Sequence, residues 1–306
     1  MSRLIIVSNR VAPISEGGPA AGGLAVGVFD ALKETGGMWF GWSGEILATD
    51  HATIKLEERG AVTFATIGLS RRDYDQYYRG FSNATLWPTF HYRTDLTQYD
   101  RHEFDGYKRV NTWLAHQLLP LLRPDDVIWV HDYHLIPFAE ALRLEGVTNR
   151  IGFFLHIPLP PAQILVTIPP HQALMKALCC YDLVGFQTPY DLRSFTDYIC
   201  HEAQGSVSPD GKVEAYGRTL RAGAYPIGVY PDEIAELAQL AIGRDDRAFT
   251  ASADGSGLAA HNIKLPRSSC ESFASVRYSI AAGARLQAER AGEASFRWTG
   301  RLGLIS

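Results

Sequence analysis

Short apolar runs, each cut off by polar residues, recur along the chain and set its rhythm. Residues 127–130 (VIWV) are β-branched or aromatic and too few for a helix, so they predict a buried strand. His131, Asp132 and His134 follow at once, and residues 135–144 (LIPFAEALRL) take a helical pattern. Residues 4–8 form a strand of the same kind, ending in Asn9 and Arg10. A small-residue loop over 12–23 and an amphipathic helix over 24–34 come next. Further strands are expected at 54–56 and 62–65, at 150–156, at 182–187 and at 219–225. Helices are expected after a Ser70 cap, over 105–122, 172–180 and 190–202 with Pro189 as initiator, and from Asp232 to Gly243. Pro158, Pro160 and Pro161 force a turn beyond His156, and residues 205–217 read as turn-rich. Alternating strands and helices predict an α/β fold with a doubly wound parallel sheet. In such sheets ligands bind outside the carboxyl ends of the strands, which makes Asp132 the pivot of an expected site.

Beyond Asp246 the pattern deteriorates. Residues 247–306 are rich in Ala, Ser, Gly and Arg and hold one lysine, Lys264. So little aliphatic surface predicts an irregular, poorly ordered tail after a first domain of residues 1–246.

Composition narrows the function classes. With 306 residues, 46% of them apolar, the chain has ample material for a core, and a net charge of -4 argues against nucleic acid as a partner. The run after Met1-Ser2-Arg3 is too short for a signal peptide or a membrane span, so the expected location is cytoplasmic, with no membrane partner. The four cysteines lack CxxC spacing and are expected to be buried free thiols.

The chemistry-bearing groups sit at strand ends. An HxxH at His131 and His134 is weak as a metal site, since no further ligands lie nearby in sequence. No GxSxG elbow is present for a hydrolase, and no second carboxylate ends a strand as a glycosidase pair would need. Arg10, Asp132 and His156, beside a glycine loop and an aromatic segment over 36–45 (GGMWFGWSGE), suit a sugar phosphate: a guanidinium for phosphate, a carboxylate for hydroxyls, rings for sugar faces. Gly22 and Gly23 lie where a ligand would touch the backbone, or where the chain merely turns; the pattern alone leaves both readings open.

Several longer motifs together resemble the trehalose-6-phosphate synthase family: IIVSNR at 5–10, AGGLAVG at 21–27, GGMWFGWSGE at 36–45, YYRGFSNATLWPTFHYR at 77–93, VIWVHDYHLIPF at 127–138, NRIGFFLHIPLP at 149–160, DLVGFQT at 182–188 and YPIGV at 225–229. The resemblance covers roughly the first 245 residues. It implies the N-terminal Rossmann-like domain of a GT-B fold, in which two such domains face each other across a cleft. The implied activity is retaining transfer of glucose from UDP-glucose, or another nucleotide-glucose, to glucose 6-phosphate. Carried over by position, it implies that Arg10 and Tyr78 hold the acceptor phosphate and that Trp42 and Trp87 shape the acceptor pocket. Asp132 would bind acceptor hydroxyls, Gly22 and Gly23 would lie against the donor diphosphate, and His156 would lie near the transferred glucose. Asp132 and His156 thereby become the catalytic candidates. No metal and no cofactor are implied; the leaving phosphate is expected to take the acceptor's proton, with electrostatic stabilisation carrying much of the rate.

The family's second half opens with an Arg-Asp-Tyr-x-Lys-Gly element that clamps the diphosphate, and residues 247–306 contain nothing like it. The expectation is therefore a second domain largely absent, a shifted reading frame or truncation after about residue 246, and little turnover by this polypeptide alone. The alternative is a catalytically silent sugar-phosphate-binding module. An apolar cleft face left uncovered would favour self-association into a homo-oligomer.

Overall fold

A computed structural model describes residues 2–11, 32, 35–49 and 53–226. The described residues form one ten-stranded sheet in the order β3-β4-β2-β1-β5-β6-β7-β10-β9-β8. The strands are β1 (Leu4–Arg10), β2 (Gly37–Leu47), β3 (Lys55–Arg59), β4 (Val62–Ser70), β5 (Val127–His131), β6 (Arg150–Leu155), β7 (Leu183–Phe186), β8 (Ser206–Val207), β9 (Lys212–Ala215) and β10 (Arg218–Ala224). From β4 through β10 every neighbouring pair is parallel, while β3 and the β8–β9 pair add antiparallel edges. The chain runs outward one way from β1 to β2 and β4, then the other way from β5 to β10, so strand order reverses between β1 and β5. A crevice at the carboxyl ends of those two strands is where a doubly wound sheet takes its ligand.

The parallel strands are buried on both faces, which is why they read as unbroken apolar runs: Ile5, Ile6 and Val7, Ile128 and Val130, and Ile151 are all sealed from solvent. Strand β2 escapes that signature. Its glycines allow it to press on β1, where a Cβ on Gly41 would stand 2.0 Å from the Ser8 carbonyl oxygen. Two strands, β8 and β9, run through the stretch expected to be turn-rich; they are short, and their exposed positions carry the polar residues that read as loop.

Between β4 and β5 the chain makes α1 (residues 71–90) and α2 (Arg101–Leu118). Ser70 caps α1, its Oγ accepting from the Asp73 N–H, and Asp100 caps α2, which begins at Arg101, four residues before the expected start. α1 is not a plain α-helix: Tyr74–Leu86 is π-helical, and the Trp87 N–H closes its last turn on the Ser82 carbonyl. Extended π geometry is rare and concentrates at functional sites. α3 (Phe138–Leu144) starts later than expected because a 3₁₀ turn at Tyr133–Leu135 and Pro137 intervene. α4 (Ala162–Leu165) and α5 (His171–Leu178) follow β6, and α6 (Pro189–His201) opens with a Thr188–Asp191 capping box. Cys179 and Cys180 are buried free thiols as expected, but Cys200 is exposed on α6.

At the opposite end of the sheet from the crevice, the Arg3 guanidinium grips Asp126, with Nη2 to Oδ2 at 2.7 Å and the carboxylate fully covered. The Arg123 N–H also donates to Oδ2. This pair ties the amino ends of β1 and β5 together. No helix among the described residues is long and apolar enough to cross a membrane. The helix expected over 232–243 and the tail lie outside the described residues.

Candidate functional site

The site begins with an irregularity in β1. Ser8 pairs with Gly41 and Arg10 with Trp42, so Asn9 is an extra residue, a bulge of the kind that re-aims the side chain after it. Three hydrogen bonds hold this bulge. The Asn9 Oδ1 accepts from the hydroxyl of Tyr77 at 2.8 Å, and the Ser8 Oγ donates to the Arg10 carbonyl while accepting from Trp39 Nε1. Tyr77 is fully buried, and desolvation pushes its hydroxyl pKa well above the ordinary value, so it stays a donor.

Arg10 itself is exposed, its guanidinium lying over the Trp42 ring at 5.1 Å. β2 bulges directly after Trp42, and in that bulge Gly44 adopts φ +89 beneath the same guanidinium. A Cβ there would stand 1.9 Å from the Arg10 Cζ, so any side chain at this position would displace the guanidinium from where it lies. Trp42 is buried, donates Nε1 to the Glu45 carbonyl, and packs against Tyr74 and Tyr78 of the π segment at centroid distances of 5.6 and 5.4 Å. Tyr78, half-buried, is stacked between Tyr74 and His134, the latter at 5.6 Å with rings only 13° from parallel.

Asp132 follows β5 with φ 75 and ψ 165, a region that only glycine enters without strain. Its Oδ1 accepts the N–H of Tyr133 at 3.0 Å and the N–H of His156 at 3.3 Å, which links the ends of β5 and β6. Burial raises the carboxyl pKa to about 6 against those two hydrogen bonds. His156, one residue beyond β6, meets the fully buried His131 with Nε2 and Nδ1 2.9 Å apart. Desolvation lowers His156 to about 4 and His134 to about 3, so both rings are neutral at ordinary pH. Among the described residues no three His, Cys, Asp or Glu side chains are grouped to hold a metal ion.

Because β1, β5 and β6 are consecutive neighbours, with Ser8 beside His131 and His131 beside Phe154, the structure carries Arg10, Asp132 and His156 to the same carboxyl end of the parallel strands at the switch point. Trp42 and Tyr78 join them as one aromatic wall. Trp87 stands apart from that wall: it is 44% exposed and stacks on His91 at 4.2 Å. Gly22 and Gly23 lie outside the described residues. Gly44 and Tyr74 carry the geometry of the site without having stood out in the sequence, while Asn9 was read only as a strand end and His131 only as half of a weak HxxH. Of the first two only Gly44, in a Ser-Gly-Glu step directly after a tryptophan-rich strand, left a trace there.

The profile of glycosyltransferase family 20 matches residues 13–242. A trehalose-6-phosphate synthase of Cronobacter sakazakii is 52% identical over 236 residues, which are 77% of this chain and 50% of that protein. One from Escherichia coli is 51% identical over 238 residues, 78% of this chain and 50% of its own length. The chain thus spans about half the length of the curated relatives it matches. Among solved structures, an α,α-trehalose-phosphate synthase (UDP-forming) from Burkholderia xenovorans in complex with glucose-6-phosphate shares 74% identity at a TM-score of 0.74, over 78% of this chain and 53% of that one. With the profile, the relatives and the doubly wound sheet in agreement, the chain belongs to glycosyltransferase family 20.

Proposed function

We propose that this chain supplies the acceptor-binding part of a retaining glucosyltransferase that moves glucose from a nucleotide-glucose, UDP-glucose foremost, to glucose 6-phosphate, giving trehalose 6-phosphate. The observation that carries the reading is the convergence of Arg10 and Asp132 at the carboxyl ends of β1 and β5, where strand order reverses, with Tyr78 of α1 packed on Trp42 beside them. The solved Burkholderia xenovorans relative, which holds glucose-6-phosphate, supports the choice of acceptor.

In this reading Arg10 and the Tyr78 hydroxyl take the acceptor's phosphate. Arg10 is pre-set by the Asn9 bulge and by the bare backbone of Gly44, so little side-chain freedom is lost on binding. Asp132, ionised at neutral pH, accepts from sugar hydroxyls and thereby orients the attacking oxygen toward the donor. Orientation of this kind supplies a large share of rate in reactions that use no enzyme nucleophile. His156, neutral, faces the donor glucose, Gly22 and Gly23 lie along its diphosphate, and Trp87 closes the outer side of the acceptor.

Calorimetric titration with glucose 6-phosphate tests the reading. Arg10→Ala should weaken binding by roughly 10- to 100-fold, the size of a lost charge-assisted hydrogen bond. Equal affinity in wild type and Arg10→Ala would remove the proposed phosphate site. Incubation with UDP-glucose and glucose 6-phosphate is expected to give little product from this polypeptide alone, because residues 247–306 carry no Arg-Asp-Tyr-x-Lys-Gly clamp. Substantial turnover by the pure chain would contradict that expectation.

A further inference from the structure

Among the described buried side chains with an unpartnered polar atom that the reading above leaves unused, His131 is the one that touches a proposed site residue through a hydrogen bond. His131 is fully sealed from solvent, ends β5, and spends its Nδ1 on the Nε2 of His156 at 2.9 Å. The two rings lie 5.2 Å apart and 26° from parallel, and the Trp129 ring backs His131 at 4.3 Å. The His131 Nε2 is buried without a hydrogen-bond partner among the described residues.

Two neutral imidazoles sharing one hydrogen bond have only two arrangements. Either His131 donates from Nδ1–H to His156 Nε2, or His156 donates from Nε2–H to His131 Nδ1. The second would place the other proton of His131 on its buried Nε2 as an N–H with nothing to accept it. Orphaned buried N–H groups are rarer and more costly than under-satisfied acceptors, so the first arrangement wins. His156 then carries its proton on Nδ1, the nitrogen that no described residue engages, on a ring that is only partly covered.

We infer that His131 is a positioning residue that locks His156 into the Nδ1–H tautomer, so that His156 meets the donor sugar as a neutral hydrogen-bond donor to an oxygen and not as a base. The inference deepens the proposed function and rests on its placing of His156 at the donor glucose. Burial, which holds both rings below their ordinary pKa, keeps the pair uncharged. A fixed neutral donor suits a hydroxyl or phosphoryl oxygen of the donor and cannot remove the acceptor's proton at that nitrogen. The proton is thereby left to the departing phosphate.

Long-range ¹H–¹⁵N correlation of the histidine rings in the ligand-free chain at neutral pH reads the tautomer directly. The expected result is Nδ1–H on both His131 and His156; Nε2–H on His156 overturns the inference. In His131→Asn the amide nitrogen can stand where Nδ1 stood, so His156 should keep Nδ1–H, whereas His131→Leu should release it to a mixture. Identical tautomers in the two variants would also overturn the inference, and the wild-type spectrum decides even where a variant fails to fold. A tautomer other than the expected one overturns the inference alone, while the acceptor site remains for the glucose 6-phosphate titration to judge.

Discussion

Asp132 is held in the folded chain at a double disadvantage, and replacing it by asparagine should separate stability from binding. Its carboxyl is raised from 3.8 to about 6, first by burial. At about 1.4 kcal/mol per unit, ionising it in the folded chain is disfavoured by up to about 3 kcal/mol relative to the unfolded chain, and residual solvent contact brings this toward about 1–2 kcal/mol. Because the folded value lies above the unfolded one, folding favours the protonated acid. That stabilising contribution is full below about pH 4 and is lost as pH rises through about 6. Asp132→Asn keeps an oxygen for the Tyr133 and His156 N–H groups and removes the buried charge, and the backbone at φ 75 is unchanged by the swap. Thermal unfolding at pH 7.5 should therefore show the asparagine variant more stable by about 1–2 kcal/mol, at roughly 2–4 °C for each kcal/mol in a domain of this size. At pH 4 the two melting temperatures should converge. Binding should move the other way, with glucose 6-phosphate held at least about tenfold more weakly once a charged acceptor is gone. A variant less stable than wild type at pH 7.5, or a stability gap that ignores pH, would show that Asp132 is not a strained, desolvated carboxylate.

Other perturbations probe the support around it. Gly44→Ala should displace the Arg10 guanidinium and weaken inorganic phosphate binding by about tenfold or more, with a stability loss of only about 1 kcal/mol from the positive φ; unchanged phosphate affinity by calorimetry would contradict this. Tyr77→Phe removes the donor to Asn9 Oδ1 and should cost about 1–2 kcal/mol in denaturant unfolding while loosening phosphate binding through the bulge; an effect on stability alone would separate the bulge from the site. Asp126→Ala strands the mostly covered Arg3 guanidinium and should destabilise by about 3–5 kcal/mol with no direct effect on ligand contacts; a loss under 1 kcal/mol would mean the pair is dispensable.

What could be read from the chain, and what could not, follows from how local each signal is. The ends of β1, β5 and β6 were legible because continuous apolar runs are cut by Asn9-Arg10, by His131-Asp132 and by His156. The parallel sheet then follows from strand-helix alternation. Strand β2 was hidden, because its glycines serve contact with β1 and its tryptophans read as core or pocket wall. The π winding of Tyr74–Leu86 leaves no periodic mark distinct from an α-helix, yet it sets which rings flank Tyr78. Gly44 and His131 matter only through contacts with residues 34 positions earlier and 25 positions later, respectively, and no local pattern encodes such a contact. β8 and β9 looked like turns because short edge strands carry turn-like polarity.

The central claim is that a guanidinium at the end of β1 and the carboxylate directly after β5 grip the two ends of one phosphorylated hexose. A crystal structure of this chain soaked with glucose 6-phosphate tests it most directly. The expected map shows the phosphate on Arg10 and the Tyr78 hydroxyl, with a hydroxyl of the same molecule on Asp132. A sugar phosphate seated elsewhere, or one that reaches Arg10 while Asp132 faces only solvent, would contradict it.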